Sequence, residues 1–155
     1  MPRHHVERLS RHAPDRLFAL AADVRAYPEF VPWILAMRVW DEREVSPTVR
    51  EFKAESTIGF SVFRGAFASP VRLDLEALEV RAGLLSGPFR RLTSRWRFDP
   101  EGEGARILFD IDFEFQSRLL QMLLDANFDL AVGKLITRFE ARADEVYGAL
   151  ETSGT

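Results

Sequence analysis

Two alternating stretches, followed by one long helical pattern, constrain this chain more than any other feature. The first stretch lies within residues 87–98 and has an apolar and a basic face: Leu92, Ser94, Trp96 and Phe98 against Arg91, Arg95 and Arg97. The second spans residues 107–115 and has an apolar and an acidic face: Ile107, Phe109, Ile111, Phe113 and Phe115 against Asp110, Asp112 and Glu114. A repeat of two residues is typical of strands in a sheet with one buried and one solvated side.

The segment after this hairpin has apolar residues spaced by three and four instead of two. From Ser117 onward they recur almost to the end of the chain, which predicts a long helix: Leu120, Leu123, Leu124, Phe128, Ala131, Leu135 and Phe139. Gly133 interrupts the pattern and indicates a bend or a close approach. A sheet face so rich in aromatic residues needs a cover, and this helix can provide it. Because a curved sheet wrapped on one helix often leaves a cavity, the pattern indicates a ligand-binding module.

The rest of the chain predicts short strands and two short helices. Residues 15–24 have the spacing of an amphipathic helix, and two prolines limit residues 27–33 to one helical turn. Alternation predicts strands at 5–10, 34–43, 50–58, 60–73 and 75–81, with a bulge at Gly65 or Pro70 and an exposed loop at 100–104. We therefore expect an α+β fold, in which a curved antiparallel sheet of about six to seven strands wraps around a long C-terminal helix. One domain is predicted over residues 1–150, with a flexible tail at 151–155.

The composition excludes several classes of function. The chain has 155 residues, no cysteine and a net charge of -3. Disulfides and cysteine chemistry are therefore excluded, and no overall positive charge attracts DNA. Phenylalanine occurs 13 times and tyrosine twice, which suits a dry interior better than a polar substrate site. The N-terminus lacks the apolar core of a signal peptide, and no run approaches about 18 apolar residues. We expect a cytoplasmic protein, at most peripheral at the inner membrane.

The charged faces of the hairpin predict a ladder of ion pairs. If both apolar faces point the same way, only alternate registers of the two antiparallel strands are allowed. One such register places Arg95 opposite Asp110 and Arg91 opposite Glu114. The alternative interpretation is a partner surface that attracts anionic head groups or RNA phosphate through Arg90, Arg91, Arg95 and Arg97.

Three motifs occur in the order of a known family. They are Tyr-Pro-Glu-Phe-Val-Pro-Trp at 27–33, residues 87–92 with 96–98, and the acidic-aromatic strand 110–115 that enters the leucine-rich helix. Together they resemble the coenzyme Q-binding, START-like family of the polyketide cyclase and lipid-transport superfamily, which includes ribosome-association toxins. The resemblance covers roughly residues 3–147. It implies a helix-grip (START/Bet v1-like) fold that binds an isoprenoid quinone between sheet and helix in support of respiration. Residues 60–70 depart from the more polar, basic strand usual in the family.

Apolar residues in three places are the candidates for ligand contact, although each also suits plain core packing. They are Phe30, Pro32 and Trp33 in the turn, Phe52, Trp96, Phe109 and Phe113 on the sheet, and Leu120, Leu124, Phe128, Ala131 and Leu135 on the helix. Asn127 is a polar helix residue that could bond a quinone carbonyl, but an outward position is expected for it. His4 and His5 alternate to opposite strand faces, which argues against a metal site.

Three functions stay open at this point. The leading hypothesis is a non-catalytic carrier or chaperone for ubiquinone or a similar lipid, acting as a monomer with peripheral membrane contact. The second is a ribosome-binding protein that blocks subunit association through a basic surface. The third is a polyketide cyclase or dehydratase, for which the inner faces supply few polar groups, among them Ser56 and Ser94. We expect no catalytic residue, no metal and no cofactor beyond the bound lipid.

Overall fold

The computed structural model of the chain describes residues 3–60 and 63–148, except for the side chains of residues 60, 63, 126 and 127. The strands are β1 (Arg3–Ser10), β2 (Ile34–Ser46), β3 (Val49–Phe60), β4 (Phe63–Asp74), β5 (Glu79–Ala82), β6 (Phe89–Glu101) and β7 (Gly104–Phe115). The helices are α1 (Pro14–Ala22), α2 (Tyr27–Phe30) and α3 (Arg118–Ala143). A 3₁₀ turn (Val24–Ala26) precedes α2, and a π-helical turn (Asp144–Gly148) follows α3. The tail expected at 151–155 lies outside the described residues.

The seven strands form one antiparallel sheet in the order β1-β7-β6-β5-β4-β3-β2. Each strand from β2 to β6 pairs with the next strand in sequence, and β1 pairs with β7 to form one edge of the sheet. The sheet curves around α3, which packs chiefly on β1 and β7. This arrangement confirms the expected α+β class and the helix-grip fold.

Local hydrogen bonds determine where α3 begins. The Ser117 hydroxyl accepts a bond from the Leu120 backbone N–H at 3.2 Å and so caps the helix. In the first turn, the Gln121 side-chain oxygen accepts a bond from the Phe115 backbone N–H at 2.8 Å. Because these bonds join the end of β7 to the start of α3, they help to direct the helix across the sheet.

Aromatic rings hold α3 against the inner face of the sheet at two points. Toward its C-terminal end, Phe139 lies 4.7 Å from Trp96, measured between ring centroids. Toward its N-terminal end, Phe128 lies 4.0 Å from Phe113. Trp96 and Phe113 belong to the neighbouring strands β6 and β7, so aromatic rings of the hairpin contact the helix at both points.

Three predicted details of the sheet are wrong. The register between β3 and β4 is continuous, so there is no bulge between them at Gly65 or Pro70, and the edge strand β2 carries register shifts instead. Pro70 is tolerated because its backbone faces the point where β5 ends, and its carbonyl accepts a bond from the Gly83 N–H at 3.1 Å. Residues 75–78 form a turn rather than a strand. Residues 100–101 extend β6, which shortens the predicted loop to a tight turn at Gly102 with φ +58°.

Two glycines show opposite packing. At Gly104, where β7 begins, a Cβ atom would lie 1.9 Å from the Ser10 carbonyl oxygen, so the approach of the two backbones requires glycine. At Gly133, a Cβ atom would meet nothing within 4 Å. The predicted close approach at Gly133 is therefore wrong, and α3 is one helix through this position.

Candidate functional site

A cavity of about 250 Å³ lies between the inner face of the sheet, the segment around α2 and the inner face of α3. Strands β2 to β7 all contribute side chains to its wall, because alternate residues of each strand point inward. Of the 26 residues in the wall, 22 are Ala, Val, Leu, Ile, Met, Phe or Trp, and the others are Tyr27, Ser56, Ser69 and Ser94. The fold therefore places an apolar chamber where the sequence pattern predicted one.

The polar groups of the wall are all neutral. The Tyr27 hydroxyl donates a hydrogen bond to the Ala21 carbonyl at 2.5 Å, and burial raises the pKa of Tyr27 well above its ordinary value. Ser56 Oγ donates to Met37 Sδ at 3.4 Å. Among the described residues that line the cavity there is no Asp, Glu, Lys, Arg or His. Such a wall suits a neutral, mostly apolar molecule that carries one or two hydrogen-bonding groups.

Two wider clefts, of about 340 and 430 Å³, lie at the surface. Glu51 and Arg43 belong to the walls of both clefts. Glu51 accepts bonds from Arg43 and Arg72, each at 3.0 Å. Because ionic groups cover these clefts and pair with one another, we assign the candidate site to the apolar cavity.

The cavity brings together eight of the twelve residues predicted to contact a ligand: Trp33, Trp96, Phe109, Phe113, Leu124, Phe128, Ala131 and Leu135. Ala131 is small and buried, and it leaves room beneath the middle of α3. The side chain of Asn127 lies outside the described residues. Ligand contact itself stays a prediction for all twelve.

The other four predicted residues lie away from the cavity wall. Phe30 packs against Tyr27 with ring centroids 5.7 Å apart. Pro32 is exposed. Phe52 is buried in the core and borders the two charged clefts, and Leu120 joins the aromatic cluster around Phe113.

Several wall residues were not among the predicted ligand contacts. Unbroken alternation through β4 identifies Phe67, Ser69 and Val71 as one face, but the expected bulge obscured that face. Tyr27 and Met37 have no local signal, because their positions depend on how α2 and the edge strand β2 fold over the sheet.

The outer face of β6 and β7 carries the predicted ion ladder. Arg95 lies opposite Asp110 and Arg91 opposite Glu114, which confirms the predicted register. The shortest contacts are Arg91–Asp112 at 2.8 Å, Arg97–Asp99 at 3.0 Å, Arg95–Asp110 at 3.1 Å and Arg90–Glu114 at 3.5 Å. The hydrogen bond from Arg91 lowers the pKa of Asp112. All four arginines of the predicted partner surface thus have a carboxylate beside them, and the surface is mixed in charge.

The three histidines each pair with a carboxylate: His4 with Asp129, His5 with Asp110, and His12 with Asp144. His4 and His5 lie on opposite faces of β1, as the alternation predicted. The pairs of His4 and His12 connect the N-terminal part of the chain to the middle of α3 and to the turn that follows it. These contacts serve the attachment of the helix.

Residues 11–140 match the family described as polyketide cyclase / dehydrase and lipid transport. The chain belongs to this family. No helix in the described part of the chain is both long and apolar enough to cross a membrane.

Known members of the family carry names for different functions. The ribosome association toxin RatA of Rickettsia prowazekii is 33% identical over 138 residues, 87% of this chain and 91% of that protein. The coenzyme Q-binding protein COQ10 homolog B of Xenopus laevis is 30% identical over 142 residues, 88% of this chain and 56% of that protein. The solution structure of the 18 kDa protein CC1736 of Caulobacter crescentus has 49% identity and a TM-score of 0.82, covering 96% of this chain and 99% of that one.

Proposed function

We propose that this protein binds a polyisoprenoid quinone, ubiquinone or a close relative, in the apolar cavity and carries it without chemical change. The observation that supports this function is the uncharged wall, in which 22 of 26 residues are apolar. A quinone ring is flat and neutral, so it can stack on rings such as Trp96 and Phe113. Its hydrocarbon tail gains about 25 cal/mol for each Å² removed from water.

The size and polarity of the cavity suit the head of such a molecule. A volume of about 250 Å³ lies just below the roughly 300–1,000 Å³ of typical ligand sites, which fits the ring and the first part of the tail. Within the part of the chain that the structure describes, the hydroxyls of Ser69 and Ser94 form no side-chain hydrogen bond. They can donate to the two ring carbonyls. The carrier works as a cytoplasmic monomer that collects and delivers quinone at the membrane for respiratory electron transport.

Native mass spectrometry with lipid extraction tests this function directly. Protein purified from a quinone-producing host should carry an isoprenoid quinone at close to one molecule per chain. Ala131→Leu places a larger side chain in the cavity and should abolish this occupancy. The control Gly133→Leu adds the same side chain where a Cβ atom meets open space, and it should leave the occupancy unchanged. An empty wild-type protein that also takes up no added quinone would overturn the proposal.

A ribosome-binding role is the second candidate, favoured by the similarity to RatA. Its predicted surface, the four arginines of β6, is paired with carboxylates. Cosedimentation with ribosomal subunits would favour this candidate if reversal of those charges abolished it.

Chemistry of the cyclase or dehydratase type needs converging polar groups, and the described wall supplies three serine hydroxyls and one engaged tyrosine.

A further inference from the structure

The outward face of α3 exposes a row of large apolar side chains. Leu119, Met122, Leu123 and Leu130 are 68%, 74%, 48% and 61% exposed. They are separated by three, one and seven residues, so they lie along one side of the helix. We call these four residues the α3 stripe. Contiguous exposed apolar patches are uncommon on monomeric proteins, and where they occur they often form an interaction surface.

Within the described residues, the cations around this stripe are unpaired, unlike the four arginines of β6. Arg118 directly precedes Leu119, and Lys134 and Arg138 follow Leu130 at steps of four residues. All three cations are exposed, and none of them forms an ion pair with residues 3–60 or 63–148. We call them the α3 cations. An apolar row flanked by unpaired cations is complementary to a surface of anionic groups above hydrocarbon.

We propose that the α3 stripe docks on an anionic lipid bilayer, with α3 lying in the plane of the interface. The four apolar side chains enter the boundary between head groups and acyl chains, and the α3 cations reach the lipid phosphates. The other side of the same helix, with Leu124, Phe128, Ala131 and Leu135, lines the cavity. Docking therefore places the cavity one helix away from the bilayer. Its purpose rests on the proposed function, because a carrier must reach the membrane that holds its quinone.

Charge distinguishes a bilayer from a second copy of the chain. Asp125 and Asp129 are the exposed carboxylates of α3, whereas Glu140 lies 3.6 Å from Arg8, so the three α3 cations outnumber them. A symmetric contact between two stripes would bring two sets of α3 cations together with fewer carboxylates than cations to offset them. RNA would satisfy the cations but would leave the four apolar side chains without a comparable partner.

Vesicle flotation of the full chain tests this surface. Wild-type protein should float with phosphatidylcholine vesicles that contain phosphatidylglycerol and bind vesicles of phosphatidylcholine alone much more weakly. Met122→Ser with Leu130→Ser should weaken binding about tenfold or more. The matched control is Leu9→Ser with Val45→Ser. It changes residues of 62% and 51% exposure on strands β1 and β2, and it should bind like the wild type. Arg118→Gln with Lys134→Gln should cost about fivefold for each cation. The control Arg72→Gln with Arg81→Gln changes paired arginines of the sheet and should not weaken vesicle binding.

Four outcomes would overturn the docking surface. They are no flotation of the wild type, equal losses in the stripe and control variants, burial of the stripe in a dimer seen by sedimentation, and stripe-dependent binding to ribosomal RNA instead of vesicles. Quinone binding is measured separately, in solution, from quenching of Trp33 and Trp96 by a water-soluble short-tail ubiquinone. Loss of quenching with intact flotation would overturn the proposed function and leave the docking surface supported. Intact quenching without flotation would overturn the docking surface alone.

Discussion

The outer face of the sheet and the outer face of α3 are both solvated, yet their charges are organised in opposite ways. On β6 and β7, arginines stand across from carboxylates at 2.8–3.5 Å. On α3, three cations are unpaired within the described residues and four large apolar side chains are exposed. Register explains the first arrangement, since antiparallel pairing holds opposite residues about 5 Å apart and rewards opposite charges. The helix has no such partner strand, so its outer face is left free for a contact outside the fold.

The contrast shows that a count of arginines does not locate a basic surface. The strand with four arginines is a neutralised ladder, and the more sparsely charged helix carries the free cations. Charge changes on the sheet should therefore alter the free energy of unfolding, whereas charge changes on α3 should alter binding.

Reversing one charge in each region gives the largest expected effect. Arg95 contacts Asp110 at 3.1 Å and Glu79 at 3.9 Å. Arg95→Glu would place a third carboxylate beside these two and should lower the free energy of unfolding by about 2 kcal/mol. Arg138→Glu on α3 should change it by less than about 0.5 kcal/mol. Urea denaturation with a constant m-value measures both. Equal losses would show that the two faces do not differ in the way described.

The pH dependence of stability offers a smaller test of the sheet face. Desolvation tends to raise the pKa of Asp110, but hydrogen bonds from His5 and Arg95 outweigh it, and the net pKa is lowered from 3.8. Hydrogen bonds to Glu7 and Asp110 raise the pKa of His5 from 6.5. A lowered acid pKa stabilises the fold above the unfolded value and loses this effect as pH falls through the folded value. A raised histidine pKa stabilises below the unfolded value and loses its effect as pH rises through the folded value.

The contribution of this pair should therefore be largest between about pH 4 and 6.5. Asp110→Asn should lower the free energy of unfolding by about 0.5–1 kcal/mol in that window, and the deficit should shrink on both sides. Denaturant titrations of wild type and variant across pH 3–8 measure the difference. A deficit that is constant across this range would show that Asp110 stabilises the fold by packing rather than by charge.

The sequence could predict those elements in which two faces had to be placed correctly at the same time. The register of Arg95 with Asp110 followed from the need to align two apolar faces and two charged faces. The cavity side of α3 at Phe128 followed in the same way from helical spacing against an aromatic sheet. In both cases a wrong register would bury charge, so few alternatives existed.

Other positions depend on contacts that no local pattern contains. In the stiff turn of residues 27–33, the prolines restrict the backbone but do not decide that Trp33 lines the cavity while Phe30 lies beneath the Arg142 guanidinium, 5.6 Å from its ring centroid. On α3, apolar residues occur on both sides, so the recurring helical pattern also includes Leu123, which is 48% exposed. A helix with two apolar faces cannot be oriented from its sequence alone.

Gly133 gives the smallest and most local test of the contrast. It lies in the middle of α3, and a Cβ atom there would meet nothing within 4 Å. Gly133→Ala should raise the free energy of unfolding by about 0.5–1 kcal/mol, because alanine has the better helix propensity and restricts the unfolded chain. The bond from Thr137 Oγ1 to the Gly133 carbonyl, at 3.0 Å, uses the backbone and should persist. Urea denaturation measures the gain. A loss of stability instead would mean that the outer side of α3 is covered in solution. The outer face of α3 would then not be a free surface, and the contrast with the outer face of the sheet would fail.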